Sequence, residues 1–349
     1  MAGHSSRASK FWLYSLCLTG WETGGFRMLC RWLIATLIVC GWLMPATLSA
    51  ANVSRIGIKG ADDRVVMDSR EYPWSAVGRV NVITGLRTRG HCTGTLIGEA
   101  LVLTAAHCLY NRLTQDYVRA GSVTFVAGYM RGEWLTDAKA REIILPTGFD
   151  PRVPPDANNN ANDWALLKLD RDIGREVGHI GISPLGPENF KRLVDRSTVF
   201  LQAGYSGDAP HVLSAHINCQ VDGFFKGQPV LGHKCDIVQG DSGSPLLVWR
   251  DGGFRVLGVN ITISRGYNKA LSTVVMFNQA LRAGGLTSPG IPRGMRPPRR
   301  TVFEILKQKF PEADNLPTAM EIWAGKGGPA VPDELDIPYL GRAMEDLRK

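Results

Sequence analysis

The stretch "HKCDIVQGDSGSP", residues 233–245, sets Ser242 between two glycines and closes on a proline. Glycine permits close backbone approach and unusual φ values, and proline fixes the exit, so the pattern suits a tight, exposed turn. In such a turn the backbone N–H groups of Gly240 and Ser242 can converge on a developing oxyanion. Gly, Asp and Ser are also ordinary turn residues, so the stretch alone leaves both readings open. A serine hydroxyl is a weak nucleophile at neutral pH and needs a base and an orienting group.

A candidate base stands in "LVLTAAHCLY", residues 101–110, where His107 follows an apolar strand and a run of small residues. A candidate orienter stands in "NANDWALLKLD", residues 160–170, where Asp163 opens a strand that reads as buried on both faces. A carboxylate beside so apolar a run is costly unless paired, and an imidazole N–H is a suitable partner. The competing readings are a structural histidine and a turn or cap aspartate in an Asn-rich loop.

Taken in the order His107, Asp163, Ser242, these motifs resemble the chymotrypsin- and trypsin-like serine peptidases. The resemblance covers roughly residues 62–285 and adds "GHCTGTLI" around Cys92, sixteen residues before Cys108. It is closest to the secreted glutamyl-endopeptidase-like branch, through "ADDRVVMDSREYPWSAVGRV" at 61–80 and "GSP" after Ser242. The resemblance implies an all-β fold of two packed six-stranded antiparallel barrels with His107 and Asp163 on the first and Ser242 on the second. It implies a Cys92–Cys108 disulfide, a His-Asp-Ser catalytic set with Gly240 and Ser242 as oxyanion donors, and neither metal nor organic cofactor.

The chain has 349 residues and a formal charge of +8. Residues 1–51 carry Arg7, Lys10, Arg27 and Arg31 against Glu22, a net of +3, which leaves about +5 for the rest. No basic cluster interleaved with aromatics appears in the region of the motifs, so nucleic acid is not an expected partner; the expected partner is a protein or peptide substrate. Residues 28–52 have the basic, apolar and small-residue parts of a secretory signal, with cleavage after Ala50 or Ala51 and Met28 as an alternative start. The apolar run is short for a membrane span, so the expectation is an exported protein, secreted or periplasmic, anchored only if the signal is retained. Residues 52–64 read as a short N-terminal segment or pro-peptide.

Seven cysteines become four once the leader is set aside, namely Cys92, Cys108, Cys219 and Cys235. Four cysteines allow three connectivities; the resemblance selects Cys92–Cys108 and leaves Cys219–Cys235. A rival is a mixed metal site of His216, Cys219, His233 and Cys235, which lacks the usual zinc spacing and is disfavoured in an oxidising compartment.

Short strands broken by Gly, Pro, Asn and Asp fill two consecutive sets, at about 65–175 and 185–285, joined by 171–197. Periodicity predicts a short helix at 277–284. Residues 286–349 are a Pro- and Arg-rich linker followed by a tail of near-balanced charge. The resemblance implies two pocket candidates: Asp236 lies six residues before Ser242, the spacing of the pocket-floor aspartate that selects basic side chains in trypsins, while Asn260 takes the place where glutamyl endopeptidases carry a histidine. Asp241 is the position that in trypsins pairs with a new terminal amine, for which cuts exposing Ile56 or Val65 are available. An inactive binding protein on the same scaffold is the alternative function.

Overall fold

The computed structural model describes residues 56–292, apart from 86, 195–197 and 251–252. The signal region, residues 52–55 of the N-terminal segment, and the tail beyond 292 lie outside the described residues. No helix among the described residues is long and apolar enough to cross a membrane.

The strands run in chain order β1 (Val65–Met67), β2 (Val77–Ile83), β3 (Arg89–Leu96), β4 (Leu101–Thr104), β5 (Tyr110–Asn111), β6 (Asp116–Tyr117), β7 (Val123–Ala127), β8 (Thr136–Ile144) and β9 (Ala165–Leu169). Six of these close a barrel in the order β2-β3-β4-β9-β8-β7, with β5 and β6 paired outside it. Residues alternate inward along β2, where Gly78, Val80 and Val82 are buried and Arg79 and Asn81 are only partly so. Gly78 lets β2 approach β7 closely, since a Cβ there would stand 2.4 Å from the Phe125 ring.

The second half supplies β10 (Gly181–Ile182), β11 (Val199–Gly204), β12 (Leu213–Ile217), β13 (Val221–Phe224), β14 (Val230–His233), β15 (Pro245–Arg250), β16 (Gly253–Thr262) and β17 (Asn268–Ser272). Hydrogen bonds connect them in the order β1-β12-β11-β15-β16-β17-β14-β13, with β10 parallel to β16. The two arms β12 and β13 are one run bent at Asn218, whose φ is 58°. The chain itself therefore carries the ring from β11 round to β14, and the expected second six-stranded barrel is closed through a bend rather than by a continuous ladder. Cys219 in that bend is bonded to Cys235, just past β14. With their sulfurs joined, the two cysteines cannot serve as the thiolate ligands of the rival metal site.

One apolar core, with Leu103, Phe125, Leu167, Tyr205 and Phe254, runs through the first half into the second. A smaller one inside the second barrel packs Phe200, Leu231, Leu246 and Leu257 around the Cys219–Cys235 bond. Each such side chain contributes about 1.5–3 kcal/mol by leaving water. The terminal helix spans Phe277–Ala283 and ends on Gly284 at φ 106°. Past it the chain stays on the body: Leu286 N–H donates to Ile97 C=O, Ile182 N–H to Leu286 C=O, and Gly290 pairs with His179. Residues 286–290 thus belong to the folded body rather than to the linker.

The Cys219–Cys235 bond closes a sixteen-residue separation at the bend that completes the ring. Replacing both cysteines by serine is expected to lower unfolding free energy by about 3 kcal/mol. Urea titration of the oxidised protein and the variant measures it.

Candidate active site

Pairing register explains why His107 and Asp163 meet. Strands β4 and β9 are antiparallel with Thr104 opposite Ala165, so the residues leaving β4 and those entering β9 emerge at one end of the barrel. A 3₁₀ turn at Ala106–Leu109 presents His107, and a short helix at Ala157–Asn160, capped by Asp156, leads into Asp163. The His107 Nδ1–H donates to Asp163 Oδ2 at 2.7 Å, and the His107 backbone N–H donates to Oδ1 at 3.0 Å. Asp163 is buried while the His107 side chain keeps about a third of its surface, at 32%. Burial works against the imidazolium, but the charge and hydrogen bond of Asp163 outweigh it and hold His107 above its ordinary pKa.

A cavity of about 800 Å³ is lined by His107, Asp163 and Ser242. Nδ1 is engaged by Asp163, so Nε2 is the ring nitrogen left for chemistry there. Among the described residues no hydrogen bond joins it to Ser242 Oγ; such contacts commonly tighten only around bound substrate.

The loop bearing Ser242 is held through its carbonyls. Gln239 C=O accepts from Gly207 N–H at 2.6 Å, and Asp241 C=O from Ser244 N–H at 2.9 Å. Gly240 C=O accepts from Thr93 Oγ1 at 3.0 Å, and Ser242 C=O from Thr93 N–H at 2.9 Å. The amides of Asp241, Gly243 and Ser244 are bonded to Val238, Asn260 and Asp241 carbonyls. Those of Gly240 and Ser242 have no partner among the described residues. In a trans peptide the N–H points opposite to the preceding C=O, so anchoring the Gln239 and Asp241 carbonyls turns both amides the other way. Gly243 is required twice over, by φ 81° and because a Cβ would stand 2.2 Å from Thr104 Oγ1.

Thr93 was not among the residues singled out in the sequence. Besides its two bonds to the loop, its hydroxyl accepts the Tyr205 N–H at 2.9 Å and its carbonyl accepts the Thr104 hydroxyl at 2.8 Å. It follows Cys92, which is bonded to Cys108 beside His107. One short piece of β3 therefore braces both the histidine turn and the serine loop. A threonine in a barrel strand reads as an ordinary sheet residue, so the only signal was its place after that cysteine.

Asp241 is fully buried and accepts from Ser206 Oγ at 2.8 Å and from Val238 N–H at 2.8 Å. Burial pushes its pKa up to about 6 against the pull of those donors. Its partners come from the loops of the second barrel, while Ile56 is exposed and Val65 lies in β1 opposite Ala215. The carboxylate is thus satisfied without the terminal amine that the trypsin comparison offers it.

Two pocket expectations need correction. Asp236 does not face the cavity: it is fully buried, with Oδ1 accepting Lys59 N–H at 2.7 Å and Oδ2 accepting Asp63 N–H at 2.9 Å. Its own N–H donates to His216 Nδ1 at 2.9 Å. Burial alone would raise this carboxyl, but His216 and the two amides overcome it and keep it below its ordinary value. Asn260 is likewise fully buried, with Nδ2 donating to Ser244 Oγ at 2.9 Å.

Two β halves, with a serine loop of the second sharing one cavity with a His–Asp pair of the first, have the architecture of the two-barrel serine peptidases. The Trypsin family matches residues 67–278, and the chain belongs to that family. Serine protease filzig of Drosophila melanogaster is 26% identical over 216 residues, 56% of this chain and 12% of its own length. Glutamyl endopeptidase of Bacillus licheniformis is 29% identical over 151 residues, 43% of this chain and 42% of its own. Serine protease 23 of Homo sapiens is 28% identical over 216 residues, 55% of this chain and 50% of its own. The chain thus spans from 12% to 50% of the length of these curated relatives. A solved Glu endopeptidase structure, in complex with MPD, superposes with a TM-score of 0.51 at 23% identity, over 65% of this chain and 99% of that one. Glutamyl endopeptidases therefore appear in both comparisons, in keeping with the branch resemblance in the sequence.

Thr93→Val keeps the shape and removes the hydroxyl. The buried Tyr205 N–H then loses its partner, at about 1–3 kcal/mol of stability. A folded variant with a lower Tm and a clearly reduced rate of labelling at Ser242 by a fluorophosphonate is expected. An unchanged labelling rate would count against Thr93 as the brace of the loop.

Proposed function

We propose that the protein is an exported serine endopeptidase. The observation that carries this reading is the pair of unpartnered amides, Gly240 and Ser242, set beside a serine that shares a cavity with a histidine already bonded to a buried aspartate. Ser242 Oγ attacks the scissile carbonyl carbon while its proton passes to His107 Nε2. The carbonyl oxygen takes the resulting negative charge and is met by the Gly240 and Ser242 N–H groups. Asp163 fixes the imidazole with its proton on Nδ1 and stabilises the imidazolium. Collapse of the intermediate breaks the C–N bond, and Nε2 returns the proton to the leaving amine. A water, deprotonated by His107, then hydrolyses the acyl-enzyme and frees Ser242.

Export rests on the signal-like residues 28–52 and is supported by two cystine bridges, which persist in oxidising compartments. The alternative, an inactive binding protein on the same scaffold, has no observation in its favour, since all three members of the catalytic set are present and share one cavity. Fluorophosphonate labelling of the secreted protein tests the reading, with Ser242→Ala as the control that must take no label.

Ser242→Ala or His107→Ala is expected to leave at most the residual supplied by the oxyanion donors, on the order of 10³ over water. Wild-type-like turnover in the Ser242→Ala protein overturns the assignment.

The base must be neutral to accept a proton, and Asp163 holds His107 above its ordinary value. The acid limb of kcat/KM should therefore have its midpoint above about 6.5. Asp163→Asn should move that midpoint down and lower kcat by about 10⁴-fold. A pH–rate profile of both proteins measures the two effects together.

A further inference from the structure

Two segments of the second barrel flank Ser242 in the cavity. Ile237 and Val238 lead into the serine loop, and Ile261, Thr262 and Ile263 follow the residue whose backbone is bonded to Gly243 and Ser244. On the peptidase reading, these two segments are the second barrel's walls beside the attacked carbonyl, against which the side chain of that residue would lie. Four of these five side chains are aliphatic and the fifth is a threonine. Ile237 and Ile261 are nearly covered, while Ile263 stands 40% exposed at the cavity. Ile237, Val238, Ile261 and Ile263 are β-branched and hold few rotamers, so the walls they form do not readily move apart.

Charged groups close to these walls are already committed elsewhere. Asp236 holds the amides of Lys59 and Asp63 and has no exposed surface. The Lys59 ammonium is bonded to the carbonyls of Ile56, Ser264 and Arg265. His233 is fully buried, and burial pushes it down to about 3 against a smaller upward pull from Asn260, so its ring is neutral. No hydrogen bond of ordinary length joins that ring to the Asn260 side chain. Two arginines do line the cavity, but Arg112 and Arg152 come from the first barrel, and Arg152 is folded onto Asp150 at 2.9 Å.

Resting on the peptidase reading above, we infer that the primary pocket takes a small, uncharged aliphatic side chain, with Ile263 setting its width. Neither a basic nor an acidic residue finds a counter-charge there, and placing either charge against aliphatic walls is costly. The pocket thus departs both from basic selection by a floor carboxylate and from acidic selection by a charged imidazole.

The test uses the full-length secreted protein and a set of fluorogenic peptides that differ only at the residue before the scissile bond. Alanine and valine are expected to exceed lysine, arginine and glutamate in kcat/KM by about a hundredfold. Ile263→Ala should raise leucine and phenylalanine relative to alanine by about tenfold or more, as a widened apolar pocket does. Asp236→Asn should lower Tm through its contacts to residues 59 and 63 and leave the ranking unchanged. A protein that takes the fluorophosphonate label yet prefers Lys, Arg or Glu overturns the pocket inference and leaves the peptidase reading intact. So does an unchanged ranking in a folded, active Ile263→Ala protein. A protein that takes no label and cleaves none of the peptides overturns the peptidase reading, and the pocket inference falls with it.

Discussion

Everything at the site depends on how Thr93 holds the serine loop. Its amide and hydroxyl grip the carbonyls of Ser242 and Gly240, residues of the other barrel. Thr93 thereby fixes the peptides that follow those carrying the Gly240 and Ser242 N–H groups, whose own carbonyls, of Gln239 and Asp241, are held by the amides of Gly207 and Ser244. The two N–H groups are thus oriented by bonds to the carbonyls of their own peptides, and Thr93 steadies the peptides next to them. The Cys92–Cys108 bridge adds the histidine turn to the same brace. The first barrel therefore supplies both His107 and the clamp on the Ser242 loop, although Ser242 itself belongs to the second.

The second barrel pays for its position with a polar interior at the same end. Gln202 and Asn260 both donate to Ser244 Oγ, two residues from Ser242. Among the described residues, Gln202 Oε1, Asn260 Oδ1 and both nitrogens of His233 have no hydrogen-bond partner. Burying such groups without partners is unfavourable, by about 1–3 kcal/mol each. The apolar cluster of Phe200, Leu231, Leu246 and Leu257 and the Cys219–Cys235 bond lie in the same barrel and offset that cost.

Much of the fold was legible in the sequence because its signals are local. Alternating strands, turn residues and the three short motifs specify two β halves, and the motif order carries the resemblance. The short helix was visible in its own periodicity and ends where Gly284 adopts a left-handed conformation. Contacts between distant segments were not legible. Asp236 looked like a pocket floor from its spacing to Ser242, but spacing does not say which way a side chain faces. Its partner amide at Lys59 is 177 residues upstream, and nothing near Asp236 announces it. Asp241 met a serine hydroxyl from another loop for the same reason, and Thr93 gave no sign that its hydroxyl bridges two barrels. The bend at Asn218 was hidden too, because a single residue at positive φ splits one run into two arms without a glycine to mark it.

The closed first barrel has a consequence for the molecule among its own copies. Cleavage of a peptide bond requires several residues of extended backbone free to enter another molecule's cleft. All six strands of that barrel have both edges occupied by neighbours. Extended chain is abundant there, yet none of it can be lifted out without breaking the ring. Among the described residues of that barrel, what a peptidase could reach is limited to connecting loops, and the one at 150–156 is stiffened by Pro151, Pro154 and Pro155 and by the Asn159 side chain bonded to the Asp150 backbone. Among the described residues of that barrel, topology rather than sequence thus decides where the chain could be cut.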